Sequence, residues 1–177
     1  NEPWGVALSP DGAVFVADTW NHRIQKFTLD GTLVLDWGEP GQGKQPYQLF
    51  GPRGLVVNSK GVVFVSDTGN HRVLAYTSVG NYIGETTGTG SQPGQLDEPT
   101  GLLLDENEKL YVADSWNRRV QVFSFSSDGK FSVEKTWAVD GWKTKSLDFK
   151  PYLCGQKGKI YLTDPEQNRV LAYSAQG

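Results

Sequence analysis

Val63–Tyr76 reads VFVSDTGNHRVLAY, and nearly the same line of residues returns three more times. It stands as VFVADTWNHRIQKF from Val14 to Phe27, as LYVADSWNRRVQVF from Leu110 to Phe123 and as IYLTDPEQNRVLAY from Ile160 to Tyr173. The aspartates are Asp18, Asp67, Asp114 and Asp164, spaced by 49, 47 and 50 residues. Five residues after each stands an arginine: Arg23, Arg72, Arg119 and Arg169. Self-similarity at a period of this length marks a repeat architecture, in which each copy is one supersecondary unit.

A second signature precedes each copy: PWGVAL from Pro3, PRGLVV from Pro52, PTGLLL from Pro99 and PYLCGQ from Pro151. The fourth keeps the proline and loses the following glycine. The second unit shows how each copy is built. Gly54–Asn58 is a continuous apolar run, as in a strand buried on both faces. A turn at 59–61 leads to a strand over Val62–Asp67, and a turn at 68–70 leads to an alternating strand over His71–Thr77. A final, more polar strand covers Asn81–Thr86. Hydrophobicity falls from the first strand to the fourth, which is the gradient of a propeller blade with its first strand innermost. The reading is all-β: one domain over 1–177, a β-propeller of four-stranded antiparallel blades. The repeats cover 3–37, 52–86, 99–137 and 151–175, the last incomplete.

The pattern Asp-x-x-Asn-His-Arg-(Ile/Val), following a Pro-x-Gly, resembles the NHL repeat. The fourth copy departs from it, with Gln167 and Asn168 where Asn70 and His71 stand, and Pro165 after its aspartate. The resemblance implies a propeller that is usually six-bladed. Four readable copies therefore predict part of a larger, about six-bladed ring, or an open arc that associates through unpaired edges. The connectors, such as PGQLDEP over Pro93–Pro99 and the stretch from Asp140 to Leu153, resemble those of NHL domains appended to bacterial polytopic glycosyltransferase-like membrane proteins. That likeness implies an extracellular or cell-envelope location.

Composition narrows the function. The 177 residues carry 17 Lys and Arg against 20 Asp and Glu, a net charge of −3. Phosphate-contacting surfaces are basic, so nucleic acid is not the expected partner. No apolar run approaches the length of a membrane span. The single cysteine, Cys154, excludes an internal disulfide and a cysteine-rich zinc site. His22 and His71 are the only histidines, too few for a strong metal signal, and no metal or other cofactor is expected. No Gly-x-Ser-x-Gly elbow or phosphate loop is present.

Topology sorts what remains. If the first strand of a blade rises, the second descends. The Pro-x-Gly turns and the Asp-x-x-Asn turns then share one face, together with the long connectors over 38–51, 87–98 and 138–150. On this connector face the aspartates and arginines read as scaffold. Four identical copies are expected of a turn in which the carboxylate accepts backbone N–H groups and pairs with the arginine. The recurrent rings Phe15, Phe64, Tyr111 and Tyr161, and Phe27, Tyr76, Phe123 and Tyr173, read as packing between blades.

The residues that vary from copy to copy are the candidates for recognition. Trp20 and Trp116 stand two residues after the repeat aspartate. Trp4, Arg53 and Tyr152 occupy the middle of the proline turns. Flat rings interleaved with cations suit the CH face of a sugar, and Trp, Tyr and Arg also anchor protein partners. The competing reading has these rings packing between blades or capping loops. The expected function is a non-catalytic, extracytoplasmic binding or assembly module for glycan or protein. The alternative is a propeller enzyme, lactonase- or lyase-like, with a metal in its central channel.

Overall fold

The computed structural model describes residues 1–41, 43, 45–142, 150–156 and 158–175. Three four-stranded antiparallel sheets and one three-stranded sheet follow one another along the chain, each built from consecutive strands. The first blade is Gly5–Leu8, Val14–Asp18, Arg23–Phe27 and Leu33–Trp37. The second is Pro52–Val57, Val63–Asp67, Arg72–Tyr76 and Tyr82–Glu85. The third is Pro99–Leu104, Leu110–Asp114, Arg119–Phe125 and Phe131–Ala138. The fourth blade shows Leu153–Gln156, Lys159–Asp164 and Arg169–Ser174 among the described residues. These strands lie within two residues of the limits read from the second repeat. Two features had no counterpart in that reading. A single 3-10 turn follows the aspartate at Thr19–Asn21 and Thr68–Asn70, and a short parallel pair joins Glu39–Pro40 to Gln48–Leu49.

Side-chain alternation explains the stacking. Across each of the three junctions, one face of a blade packs on the facing side of the next. Phe15, Ala17 and Ile24 of the first blade bury against Leu55, Val63, Val65 and Tyr76 of the second. Phe64 and Val73 meet Leu102, Leu110, Val112 and Phe123 across the next junction. Tyr111 and Val120 meet Ile160 and Leu162 across the third. The recurrent rings are therefore buried where a neighbouring blade covers them, while Tyr161, on the far face of the fourth blade, stays exposed.

The innermost strands approach so closely that glycine is required. A Cβ on Gly5 would lie 2.1 Å from the Arg53 carbonyl oxygen, and one on Gly54 would lie 2.1 Å from that of Thr100. One on Gly101 would meet the Tyr152 Cα at 2.7 Å. Hydroxyls fasten the same junctions: Thr19 donates to the Pro52 carbonyl at 2.8 Å, Thr68 to Pro99 at 2.8 Å and Thr100 to Pro151 at 2.7 Å.

The fourth blade differs at its innermost strand. In the second blade Pro52 pairs with Asp67 and Leu55 with Val65, so a bulge lies between them. The fourth pairs Leu153 with Leu162 and continues in register to Gln156 and Lys159. The motif glycine is thus deleted along with the bulge rather than replaced.

Candidate functional site

The registers place both motifs at one end of each blade. Pro52 lies opposite Asp67 and Pro99 opposite Asp114, so the proline turns and the aspartate turns share the connector face. In the second and third blades the aspartate fastens a connector there. Asp67 accepts the Phe50 N–H at 2.7 Å, the Asn70 amide at 2.8 Å and the Arg72 Nε–H at 3.0 Å. Asp114 accepts the Asp97 N–H at 2.7 Å and the Arg119 Nε–H at 2.6 Å. The arginines reach onward to the connector's carbonyls. Arg72 donates to Gln45 and Gln48, and Arg119 to Ser91, Gln92 and Gln95. Carboxylate and guanidinium together hold donors and acceptors of a loop whose own pairing is limited to a short parallel bridge. Burial pushes the Asp67 and Asp114 carboxyls up, against the pull of these donors. The same pairing recurs at Asp18 with Arg23 and at Asp164 with Arg169, each at 2.8 Å.

Both histidines serve as caps. Each follows the 3-10 turn in the left-handed region at φ 57°. His22 Nδ1 accepts the Gly51 N–H at 3.0 Å, and His71 Nδ1 accepts the Glu98 N–H at 3.1 Å. Gly51 and Glu98 each stand just before a motif proline, also at positive φ. The third blade has Arg118 at this position, which offers no acceptor. Among the described residues no three His, Cys, Asp or Glu side chains are grouped as a metal site would need.

Four of the five recognition candidates lie around one another. The Arg53 guanidinium lies 4.2 Å from the centroid of the Trp4 ring. Its charge is felt by both Tyr152 and Lys150. The Lys150 ammonium lies 5.2 Å over the ring of Trp116 and 2.9 Å from the Glu98 carboxylate. The Lys150 side chain is 0% exposed, and burial lowers its proton affinity while Glu98 supports it. Trp4, Arg53, Tyr152, Lys150 and Trp116 thus gather as a belt of rings and cations on the connector face, with a ring–cation contact at each end. A cation on an aromatic face is a directed attraction, strongest where water is excluded.

Trp20 stands apart. It is 45% exposed and donates its indole N–H to Glu2 at 2.8 Å. The second blade has Gly69 at this position for a steric reason. A Cβ there would lie 2.2 Å from the Phe50 ring, which stacks on His22. Two other connector aromatics separate: Tyr47 is exposed, while Trp142 is buried and donates to the Thr163 carbonyl at 3.1 Å.

Sequence reading did not single out Asp97, Glu98 or Lys150. Comparison of the positions before the motif prolines would have raised the last two. Glu2, Gly51, Glu98 and Lys150 stand there, and only Lys150 is a cation.

Comparison with known proteins agrees with the repeat. NHL repeats are found at residues 1–27, 51–76 and 96–123, the first three copies. The protein Brain tumor of Drosophila melanogaster is 45% identical over 51 residues, which is 29% of this chain and 5% of that protein. Among solved structures, a chain of a nidogen/laminin complex matches with a TM-score of 0.70 at 21% identity, over 97% of this chain and 59% of that one. Streptogramin B lyase matches with a TM-score of 0.64 at 17% identity, over 99% of this chain and 55% of the lyase. Virginiamycin B lyase from Staphylococcus aureus gives a TM-score of 0.65 at 16% identity, over 98% of this chain and 56% of that one. At such identities the likeness establishes the fold, a β-propeller. The chain spans between half and two thirds of these structures, and a small part of Brain tumor.

Proposed function

We propose that this chain is a non-catalytic binding module whose working surface is the connector face, with a glycan or a protein as partner. The observation that carries the reading is the belt of Trp4, Arg53, Tyr152, Lys150 and Trp116, in which the three rings are partly exposed and the two cations are buried. These side chains differ from copy to copy, whereas the Asp–Arg fasteners beneath them repeat. A constant frame with variable tips separates the work of folding from the work of recognition. Trp20, exposed on the same face, extends the surface beyond the belt.

The test pairs Trp116→Ala and Trp20→Ala with titration calorimetry against a panel of soluble oligosaccharides. Denaturation of both variants is the control. Binding lost with folding intact supports a glycan surface. Binding equal to the parent in both variants moves the site off these rings, and a silent panel leaves protein as the partner class. An extracytoplasmic location rests on the connector resemblance alone, and fractionation of the producing cells tests it.

Self-association has one observation of its own. Val6 and Leu8 are 69% and 63% exposed. Val6 lies at the position of Leu55 and Leu102, which are buried under the preceding blade. An uncovered blade face of this kind favours contact with a further blade, from this protein or a second copy. Light scattering over a concentration series distinguishes a monomer from an associating arc.

A further inference from the structure

His22 and His71 hold the same place in their blades, but their surroundings differ by one charge. His22 stacks on Phe50, with ring centroids 5.3 Å apart and planes 11° apart. Asp97 stands where Phe50 stands, two residues before the motif proline. Its Oδ1 lies 3.0 Å from His71 Nδ1, the same nitrogen that accepts the Glu98 N–H at 3.1 Å. One nitrogen cannot satisfy both neighbours. With its hydrogen on Nε2, the neutral ring spends its one Nδ1 lone pair on the Glu98 N–H and has nothing to donate to the carboxylate. Protonated, it donates a charge-assisted bond to Asp97 and sets its hydrogen against the Glu98 N–H.

We infer that His71 is a proton-operated latch on the connector face, exchanging Glu98 for Asp97 as its partner. Glu98 is the hinge. Its backbone is held at φ 51°, and its carboxylate takes the buried Lys150 ammonium that lies over Trp116. The His71 ring is itself 6.5 Å from Trp116. Protonation frees the Glu98 N–H and loosens the Glu98–Lys150–Trp116 corner of the belt. The charged groups around the imidazole are Asp97, the Glu98–Lys150 pair, and Arg72 next along the chain. The Arg72 guanidinium is turned to Asp67 and Glu85. His22 has a ring in place of the carboxylate and serves as the internal control. That the loosened corner is a binding surface rests on the reading above; the latch does not.

The test follows tryptophan emission of the full 177-residue chain from about pH 8 to about pH 5, where imidazoles change charge. His71→Asn keeps an oxygen acceptor and does not titrate. Asparagine tolerates the left-handed conformation, and Asn168 adopts it at this position in the fourth copy, at φ 52°. The parent and His22→Asn are expected to show the transition, and His71→Asn to lack it. Asp97→Asn keeps the backbone bond to Asp114 and removes the carboxylate that faces the imidazole, so its transition is expected to move to lower pH than the parent's. The latch is overturned by a parent without a transition, by a transition that survives in His71→Asn, or by an unmoved midpoint in Asp97→Asn. The last readout holds even if His71→Asn does not fold.

Discussion

A Cβ placed on Gly54 would lie 2.1 Å from the carbonyl oxygen of Thr100, one blade away. Both atoms belong to innermost strands, so neither side can yield by rotating a side chain. Gly54→Ala is therefore expected to cost at least the ~1–3 kcal/mol of an overpacked core, because whole strands must move apart. Gly31→Ala is the comparison. Nothing lies within 4 Å of its Cβ position, but its φ is +87°. Only conformational strain opposes that change, about 1 kcal/mol. Urea denaturation of both variants checks the order. Equal losses would mean that blade contact is not what selects glycine at position 54.

The threonine after the repeat aspartate makes a second, weaker tie across the same junction. Thr68 is buried and donates to the Pro99 carbonyl at 2.8 Å. Thr68→Val preserves shape and leaves that carbonyl without this donor. The expected loss is about 1–3 kcal/mol, read as a lower urea midpoint at unchanged slope. The fourth copy has Pro165 in this place, and with Tyr152 beside Leu153 it lacks both the hydroxyl and the glycine.

The parts of the fold legible in the sequence are those the chain repeats. Four copies of Asp-x-x-x-x-Arg and of the proline turn fix the blade, its strand limits and its face, because each copy obeys the same packing. What could not be read occurs once. Gly69 looked like a variable tip, and the ring of Phe50 that excludes a side chain there lies 19 residues earlier, in the connector leading into the same blade. The loss of the glycine beside Leu153 was legible, and that the bulge goes with it becomes visible only in the strand register. Of the candidate site, Trp4, Arg53, Tyr152 and Trp116 were legible as variable positions on one face. Lys150 and Glu98, which join them, are 52 residues apart and meet only through the propeller's curvature. Trp20 was legible as a candidate on the same face, but its exposure and its bond to Glu2 were not.

Two tyrosine hydroxyls make stability fall at alkaline pH. Tyr111 is pushed up to about 12 by burial, with Asp105 adding to the shift. Tyr76, donating to the Pro46 carbonyl at 2.5 Å, is raised by burial as well. Both folded values exceed the unfolded value of 10.0. The stability they contribute is complete below about pH 10 and is lost as pH rises toward the folded values. Unfolding free energy measured from about pH 9 to 11 is expected to decline. In Tyr76→Phe that decline is expected to be shallower, after a fixed loss of about 1 kcal/mol for the hydrogen bond. An identical slope in the variant would remove Tyr76 from the explanation.

Asp67 tests whether the repeat motif fastens or recognises. Its carboxylate is fully buried and holds the Phe50 N–H, the Asn70 amide and Arg72. Truncation strands a backbone donor and a buried guanidinium together, so Asp67→Ala is expected to cost about 3–5 kcal/mol. The damage should be local to the connector over 38–51, which Arg72 also holds through the Gln45 and Gln48 carbonyls. Hydrogen exchange there is expected to rise before the blades open. Partner binding, measured where the variant remains folded, should be unchanged per molecule, since the belt of Trp4, Arg53 and Trp116 does not rest on this carboxylate. Stability equal to the parent together with lost binding would turn the assignment around, making Asp67 a recognition residue and the repetition of its motif a repeated binding determinant.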